Sequence, residues 1–190
     1  MIDVPSVDSE LSRSALALAE ALENVSWRLR NSVKANKAME LLLADLPHVV
    51  LEGELGRIAR SGFVERDGCI FIAALNPQSH MNLDSFPDRT GYECFVNSVH
   101  IDDYVSADFL ATAISWLSLV LDQWNKSGLP GVLQGSVSND EFGATVKVHV
   151  LRPDEFLLSD DLEGYEQAVL TVNSGDRGIC PDQEALMNDN

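Results

Sequence analysis

The sequence predicts an α+β fold, with N-terminal helices followed by an antiparallel sheet and a long helix packed on one face. Three observations carry this. Residues 8–46 contain neither Gly nor Pro and repeat apolar residues at helical spacing. Beyond residue 62 the apolar period falls to two in several short runs set between turn residues. A single long apolar-faced segment, 106–128, interrupts those runs. Strands and helices in this arrangement argue for helices laid on an antiparallel sheet. With 190 residues and 45% hydrophobic content, the chain suits one domain with a substantial core.

Leu11, Ala15, Leu18, Leu22, Val25 and Leu29 recur at alternating spacings of four and three, close to a heptad seam. Asp8 suits the cap, Glu10 the first turn, and Pro47 marks the end. One helix over 8–45 would be about 57 Å long. A break near Asn24–Ser26 or Asn31–Ser32 is therefore expected, giving two packed helices. The other arrangement open to such a seam is a homodimer through the N-terminal helices. Residues 49–61 read as a short helix or turn with Arg57 and Arg60 on its surface.

In GFVERDGCIFIAAL, 62–75, Asp67-Gly68 between two apolar runs is the strongest hairpin signal in the chain. Residues 76–91 read as a long loop and YECFVNSVHI, 92–101, as a strand. The clearest helix is SADFLATAISWLSLVLDQWNKSG, 106–128. Phe109, Ala113, Trp116, Val120 and Trp124 form one stripe, widened by Leu110, Ile114, Leu117 and Leu121, and Gly128 and Pro130 supply the stop. VLQGSVS, 132–138, and GATVKVHVL, 143–151, read as strands, with Val146, Val148 and Val150 on a buried face and Lys147 and His149 on a wet one. EQAVLTVN, 166–173, reads as the last strand. The expected organisation is a helical region over 1–61, the sheet region of the same domain over 62–175, and an acidic, flexible tail over 176–190.

Signatures of chemistry are absent from the sequence. There is no Walker loop, no GxGxxG after a strand, no GxSxG elbow and no HExxH. His48, His80, His100 and His149 are far apart in the chain, although His100, His149 and Cys94 fall in expected strands and could meet across a sheet. Cys69, Cys94 and Cys180 lack CxxC spacing, and an odd count fits a reducing cytoplasm. No cofactor, metal site or catalytic residue is assigned. No apolar run approaches the roughly 20 residues that span a bilayer, and the N-terminus lacks the basic and apolar regions of a signal peptide.

Charge is the strongest signal: 13 basic against 30 acidic residues, net −17. Residues 1–66 carry 8 basic and 10 acidic side chains, whereas 67–190 carry 5 and 20. Such a surface repels phosphate backbones and anionic membranes, which excludes the usual route to nucleic acid. It attracts a basic protein over about 8 Å, the Debye length at physiological salt. Aromatics interleave with the acids at two places: Asp102, Asp103 and Tyr104, and the run Asp154, Glu155, Phe156, Asp160, Asp161, Glu163, Tyr165 and Glu166. Interfaces favour an aromatic anchor rimmed by charge, so these are the candidate partner-binding residues.

A small, acidic α+β chain of this character, notably VHIDDYVSADFLATAISWLSLVLDQW within residues 62–173, resembles the immunity proteins of bacterial toxin systems, including contact-dependent growth inhibition. The resemblance implies binding and neutralisation of a cognate basic toxin, often a nuclease. The alternatives are an acidic chaperone for a secreted effector and a small enzyme with a site assembled from distant residues.

Overall fold

The computed structural model describes residues 33–44, 46–47, 49–76 and 82–175. The seam at 11–29 and the tail at 176–190 lie outside the described residues. Seven strands are described: β1 (Val33–Ala35), β2 (Phe63–Arg66), β3 (Cys69–Ile72), β4 (Ser98–His100), β5 (Leu133–Asn139), β6 (Ala144–Val150) and β7 (Ala168–Asn173). Four α-helices accompany them: α1 (Lys37–Leu43), α2 (Gly53–Ala59), α3 (Arg89–Val96) and α4 (Phe109–Ser127). The main sheet has the order β1-β7-β5-β6-β4, antiparallel throughout, while β2 and β3 form a separate hairpin.

The long helix α4 packs on β5 and β6, as the width of its apolar stripe requires. Ala113, Trp116, Leu117, Val120 and Trp124 share a core with Leu133, Val137, Val146, Val148, Leu170 and Val172. Each of these leucines and valines contributes about 1.5–3 kcal/mol by leaving water. Gly135 lets the helix approach, since a Cβ there would run into the Leu117 side chain. Both core indoles are paired: Trp116 Nε1 donates to the Leu55 carbonyl at 3.1 Å, and Trp124 Nε1 to that of Gly131 at 3.3 Å. The helix stops at Gly128, whose φ of 80° is left-handed.

The β2–β3 turn is the expected Asp67-Gly68 pair, with φ of 55° and 73°. It serves a hairpin outside the main sheet. All four residues of β3 are buried: Ile70 and Ile72 join the main core, while Cys69 and Phe71 form a second one with Tyr92. Phe86 stacks on Tyr92 at 4.7 Å between ring centroids.

Two segments fold otherwise than the sequence predicts. Residues 92–101 hold the C-terminal part of α3 and only three strand residues, β4. Tyr92, Cys94 and Val96 alternate as in a strand, but Asp88 caps a helix by accepting from the Gly91 N–H at 2.6 Å. The helix also places Glu93 and Asn97 one turn apart, and both are buried. Glu93 accepts from the Ile70 N–H at 2.6 Å, from the Val150 N–H at 2.7 Å, and from both terminal nitrogens of Arg152. Asn97 accepts from the Ile72 N–H at 2.9 Å, donates to the carbonyls of Ile70 and Val148, and offers its own carbonyl to the Val148 N–H. The polar side chains of α3 thus replace a missing strand between the edges of β3 and β6.

The second difference is β1, which falls inside the stretch read as helix. Val33–Ala35 pairs with Leu170–Val172, and Asn36 separates this strand from α1. Asn36 Oδ1 accepts from the N–H groups of Met39 and Val169, both at 3.0 Å, and its Nδ2 donates to the Gln167 carbonyl at 2.8 Å. One buried amide therefore caps α1 and fixes the start of β7.

Glu93→Ala is expected to cost about 3–5 kcal/mol in urea unfolding, because it strands a buried guanidinium and two backbone donors. The double variant Glu93→Leu with Arg152→Met is expected to stay destabilised, since the Ile70 and Val150 N–H groups remain unpaired. Recovery to wild-type stability in that variant would contradict the strand-replacement role.

Candidate functional site

The face of the sheet away from α4 is polar, and registration places its residues in rows. Lys34, Thr171, Ser136, Lys147 and Ser98 lie side by side across all five strands. Val169, Ser138, Thr145 and His100 form the next row on one side, and Asn173, Gln134 and His149 the next on the other.

Because β6 and β7 both run antiparallel to β5, the connection between them must travel the length of the sheet. Residues 151–167 do so over the polar face as a strap. One end is held where Arg152 and Glu155 form an isolated bridge and Glu155 Oε2 accepts from the Thr90 N–H at 2.8 Å. The other is held where Lys34 Nζ donates to Asp160 at 2.7 Å, the Lys37 N–H donates to Glu163 at 3.0 Å, and Leu162 is buried. Within the strap, Tyr165 Oη accepts from the Ser159 N–H at 3.0 Å, and Asp161 Oδ1 accepts from the Glu163 N–H at 3.1 Å.

The candidate partner-binding residues of 154–166 therefore divide. Burial opposes the charge on Glu155, but the Thr90 N–H and the charges of Arg152 and Arg89 outweigh it and hold its carboxyl below the usual range. It faces inward, and half-buried Tyr165 fastens the strap. Asp160 is lowered by its hydrogen bond with Lys34 and points to solvent. Asp154, Asp161, Glu163 and Glu166 are exposed, and Phe156 is 75% exposed among them.

Asp102, Asp103 and Tyr104 lie at the β4–α4 corner, all exposed. Burial, with Glu54 and Asp103 nearby, pushes the Tyr104 hydroxyl up. The β5–β6 turn packs against this corner: Gly143 sits so close to Asp102 that a Cβ would strike its carboxylate. Asp140 Oδ1 accepts from the N–H of Phe142 at 2.8 Å and of Gly143 at 3.2 Å, shaping a turn that leaves Phe142 77% exposed beside Glu141. Asp140, Glu141 and Phe142 lie between the two runs of strand pattern, which assign them to no site. Their membership in the 102–104 cluster depends on strand pairing, though an aromatic flanked by acids in a turn was a readable sign.

Cys94 and His149 do meet, with Sγ 3.4 Å from Nδ1, whereas His100 Nδ1 lies 3.1 Å from Thr145 Oγ1. His149 is only 1% exposed, contrary to the wet position its alternation predicts, because α3 and the strap cover it. Burial, then the Arg152 charge, lowers its pKa to about 4, and burial raises the Cys94 thiol to about 12. Both groups are neutral at pH 7, so the pair lacks the thiolate that a nucleophilic cysteine requires. Among the described residues no group of three or more His, Cys, Asp or Glu side chains could hold a metal ion. No helix among them is long and apolar enough to cross a membrane.

The family model described as "Uncharacterized protein PM0498 family" matches residues 34–186. The chain belongs to this family. It is similar to the uncharacterized protein PM0498 of Pasteurella multocida (strain Pm70), 32% identical over 120 residues that cover 57% of this chain and 76% of the relative. No solved structure matches. The span of the PM0498 family model takes in the strap, the polar rows and both acidic clusters.

The His149 environment has a measurable consequence. An unfolded histidine binds a proton near pH 6.5, but the folded one resists until about pH 4. Its contribution to stability is therefore full above pH 6.5 and declines as the pH falls toward 4, by about 3 kcal/mol in all. Urea midpoints between pH 4 and 7 should show this slope, and His149→Phe should flatten it. An equal slope in the variant would place the titration elsewhere.

Proposed function

We propose that this protein is a cytoplasmic immunity-type binding protein that docks and neutralises a basic protein toxin. The observation that supports this best is the corner formed by Asp102, Asp103, Tyr104, Asp140, Glu141 and Phe142, where an aromatic ring stands 77% exposed among carboxylates. An exposed phenyl ring gains by burial in a partner's pocket, and the surrounding acids steer a cationic surface toward it. The strap repeats the pattern around Phe156 with Asp154, Asp161 and Glu163. A nuclease fits this chemistry, because a surface that binds a polyanion is basic. The charge of −17 supplies a long-range field, and the two cysteines among the described residues are free, as a reducing compartment requires.

The test begins with pull-downs at low and high salt, which should recover a basic protein in a salt-sensitive manner, followed by binding kinetics with that partner. Replacing Asp102, Asp103, Asp140 and Glu141 with their amides should slow association about tenfold at low salt and flatten its salt dependence. Phe142→Ala should mainly speed dissociation. If none of these changes alters the kinetics, the corner is a solubilising surface and the docking site lies elsewhere.

A further inference from the structure

The strap covers only part of the polar face. Beneath it lies a cavity of about 240 Å³, with Lys34 and His149 in its floor and Phe156 among the leucines of its roof. The lysine of that floor is already paired with Asp160. Leu157 also borders a wider, open groove of about 730 Å³, within the range that holds small molecules.

The floor of this groove is formed by Ser98, His100, Thr145, Lys147 and Ser138, from three adjacent strands. The Lys147 side chain rises on the groove side of β6, because Val146 and Val148 beside it are buried in the core on the other. Helix α3 supplies a wall. Its Phe95 is 60% exposed and meets Phe86 at 5.3 Å between ring centroids, and both rings line the groove. Leu157 of the strap adds further apolar surface.

Lys147 decides what the groove takes. It is half-buried, yet among the described residues no carboxylate pairs with it. Among those residues no Asp or Glu lines the groove either, an exception in a chain of net −17. Asp88, next to the α3 wall, is engaged in capping that helix through the Gly91 N–H. Burial raises the Cys94 thiol, and of the charges acting on it that of Lys147 is the strongest and opposes the rise. The ammonium therefore stands on the α3 side of the groove, toward the phenyl rings. The hydroxyls of Ser98 and Ser138 are half-exposed and without a partner among the described residues, so they too are available to donate.

We propose that this groove binds a small monocarboxylate with an aromatic or aliphatic body, its carboxylate received by Lys147 and the serine hydroxyls and its body by Phe86, Phe95 and Leu157. A carboxylate gives the ammonium a charge-assisted hydrogen bond, and offset or edge-on ring contacts add to the apolar gain. A cation would be repelled by Lys147, and a neutral apolar molecule would leave it unpaired. Each further negative charge would work against the field of the whole chain, so one carboxylate suits the groove better than a phosphate ester. None of the six residues of the docking corner lines the groove, so the inference stands apart from toxin binding.

The experiment titrates the ¹⁵N-labelled full chain at neutral pH and physiological salt, following the backbone amide signals of Ser98, Thr145 and Lys147, with thermal unfolding in parallel. The probes are phenylacetate, phenylacetamide, acetate, phenethylamine and phenyl phosphate, each to millimolar concentration. Phenylacetate should shift these signals and raise the unfolding temperature. Phenylacetamide, which has the same shape without the charge, should bind about tenfold more weakly, as should acetate, which lacks the ring. Phenethylamine and phenyl phosphate should also bind more weakly than phenylacetate. Lys147→Met keeps the stem without the ammonium and should erase the preference for phenylacetate over phenylacetamide, whereas Phe95→Ala should weaken every ring-bearing probe. If either variant does not fold, the comparison of the probes on the wild-type chain still decides. Equal binding of phenylacetamide would reduce the groove to an apolar surface, and tighter binding of phenyl phosphate would make it a phosphate site. A preference for the carboxylate that survives Lys147→Met would place the anion elsewhere, and signals unmoved by every probe would mean that the groove holds no such ligand. Each of those results overturns the proposal.

Discussion

Glu93 has more consequences for this fold than any other side chain. Taking a carboxylate out of water costs several kcal/mol, and only dense pairing offsets it. Here the pairing comes from three places at once: the edge of β3, the edge of β6, and Arg152 just beyond β6. The two β layers need not share a hydrogen-bonded ladder, because one carboxylate and the Asn97 amide stand between them. The arrangement also sets the position of Arg152. From that residue the chain turns through the Arg152–Glu155 bridge onto the polar face of the sheet. The near end of the strap, where the chain turns onto the polar face, thus inherits its position from a single buried charge, while Lys34, Lys37 and Leu162 hold the far end.

That dependence explains what the sequence could and could not reveal. The Asp67-Gly68 hairpin, α4 and the strands β5 to β7 were legible because each obeys a local rule: a turn that wants positive φ, a stripe of period 3.6, an alternation of period 2. Helix α3 was illegible because its deciding residues are polar. Glu93 and Asn97 look like solvent positions in any pattern reading, yet they are among the most buried residues. Without knowing that two strand edges needed satisfying, Tyr92, Cys94 and Val96 read as a strand. β1 was hidden for a related reason: three residues in a helix-compatible stretch pair with β7 across more than a hundred positions.

The candidate site was legible in charge and illegible in direction. Composition located the acids, but it could not say that Glu155 turns inward to Thr90 while Asp154 beside it is exposed. It could not join Phe142 to Asp102 either, since only the β5–β6 and β4–β6 pairings bring that turn to that corner. The alternation in β6 correctly placed His149 on the face away from the valines. At His149 that face is dry, because a seventeen-residue connection crosses it.

A connection of that kind separates two chemistries within a few ångströms. The outer side of the strap carries Asp154, Asp161, Glu163 and an exposed Phe156, in high-dielectric surroundings where charges act at long range and cost little to maintain. The inner side carries leucines, and opposite them lie amides, a hydroxyl and a neutral imidazole, where an isolated charge would be expensive. Lys34 reaches Asp160 at the boundary, so the one cation of the floor is spent in closing the strap. The same segment can therefore present a cationic partner with a field and still keep a neutral interior. Phe156 belongs to both sides, lining the cavity while standing largely in solvent. Any partner that buries this ring presses on the roof of the cavity, so the outer surface and the inner space share one mechanical element although their electrostatics are distinct.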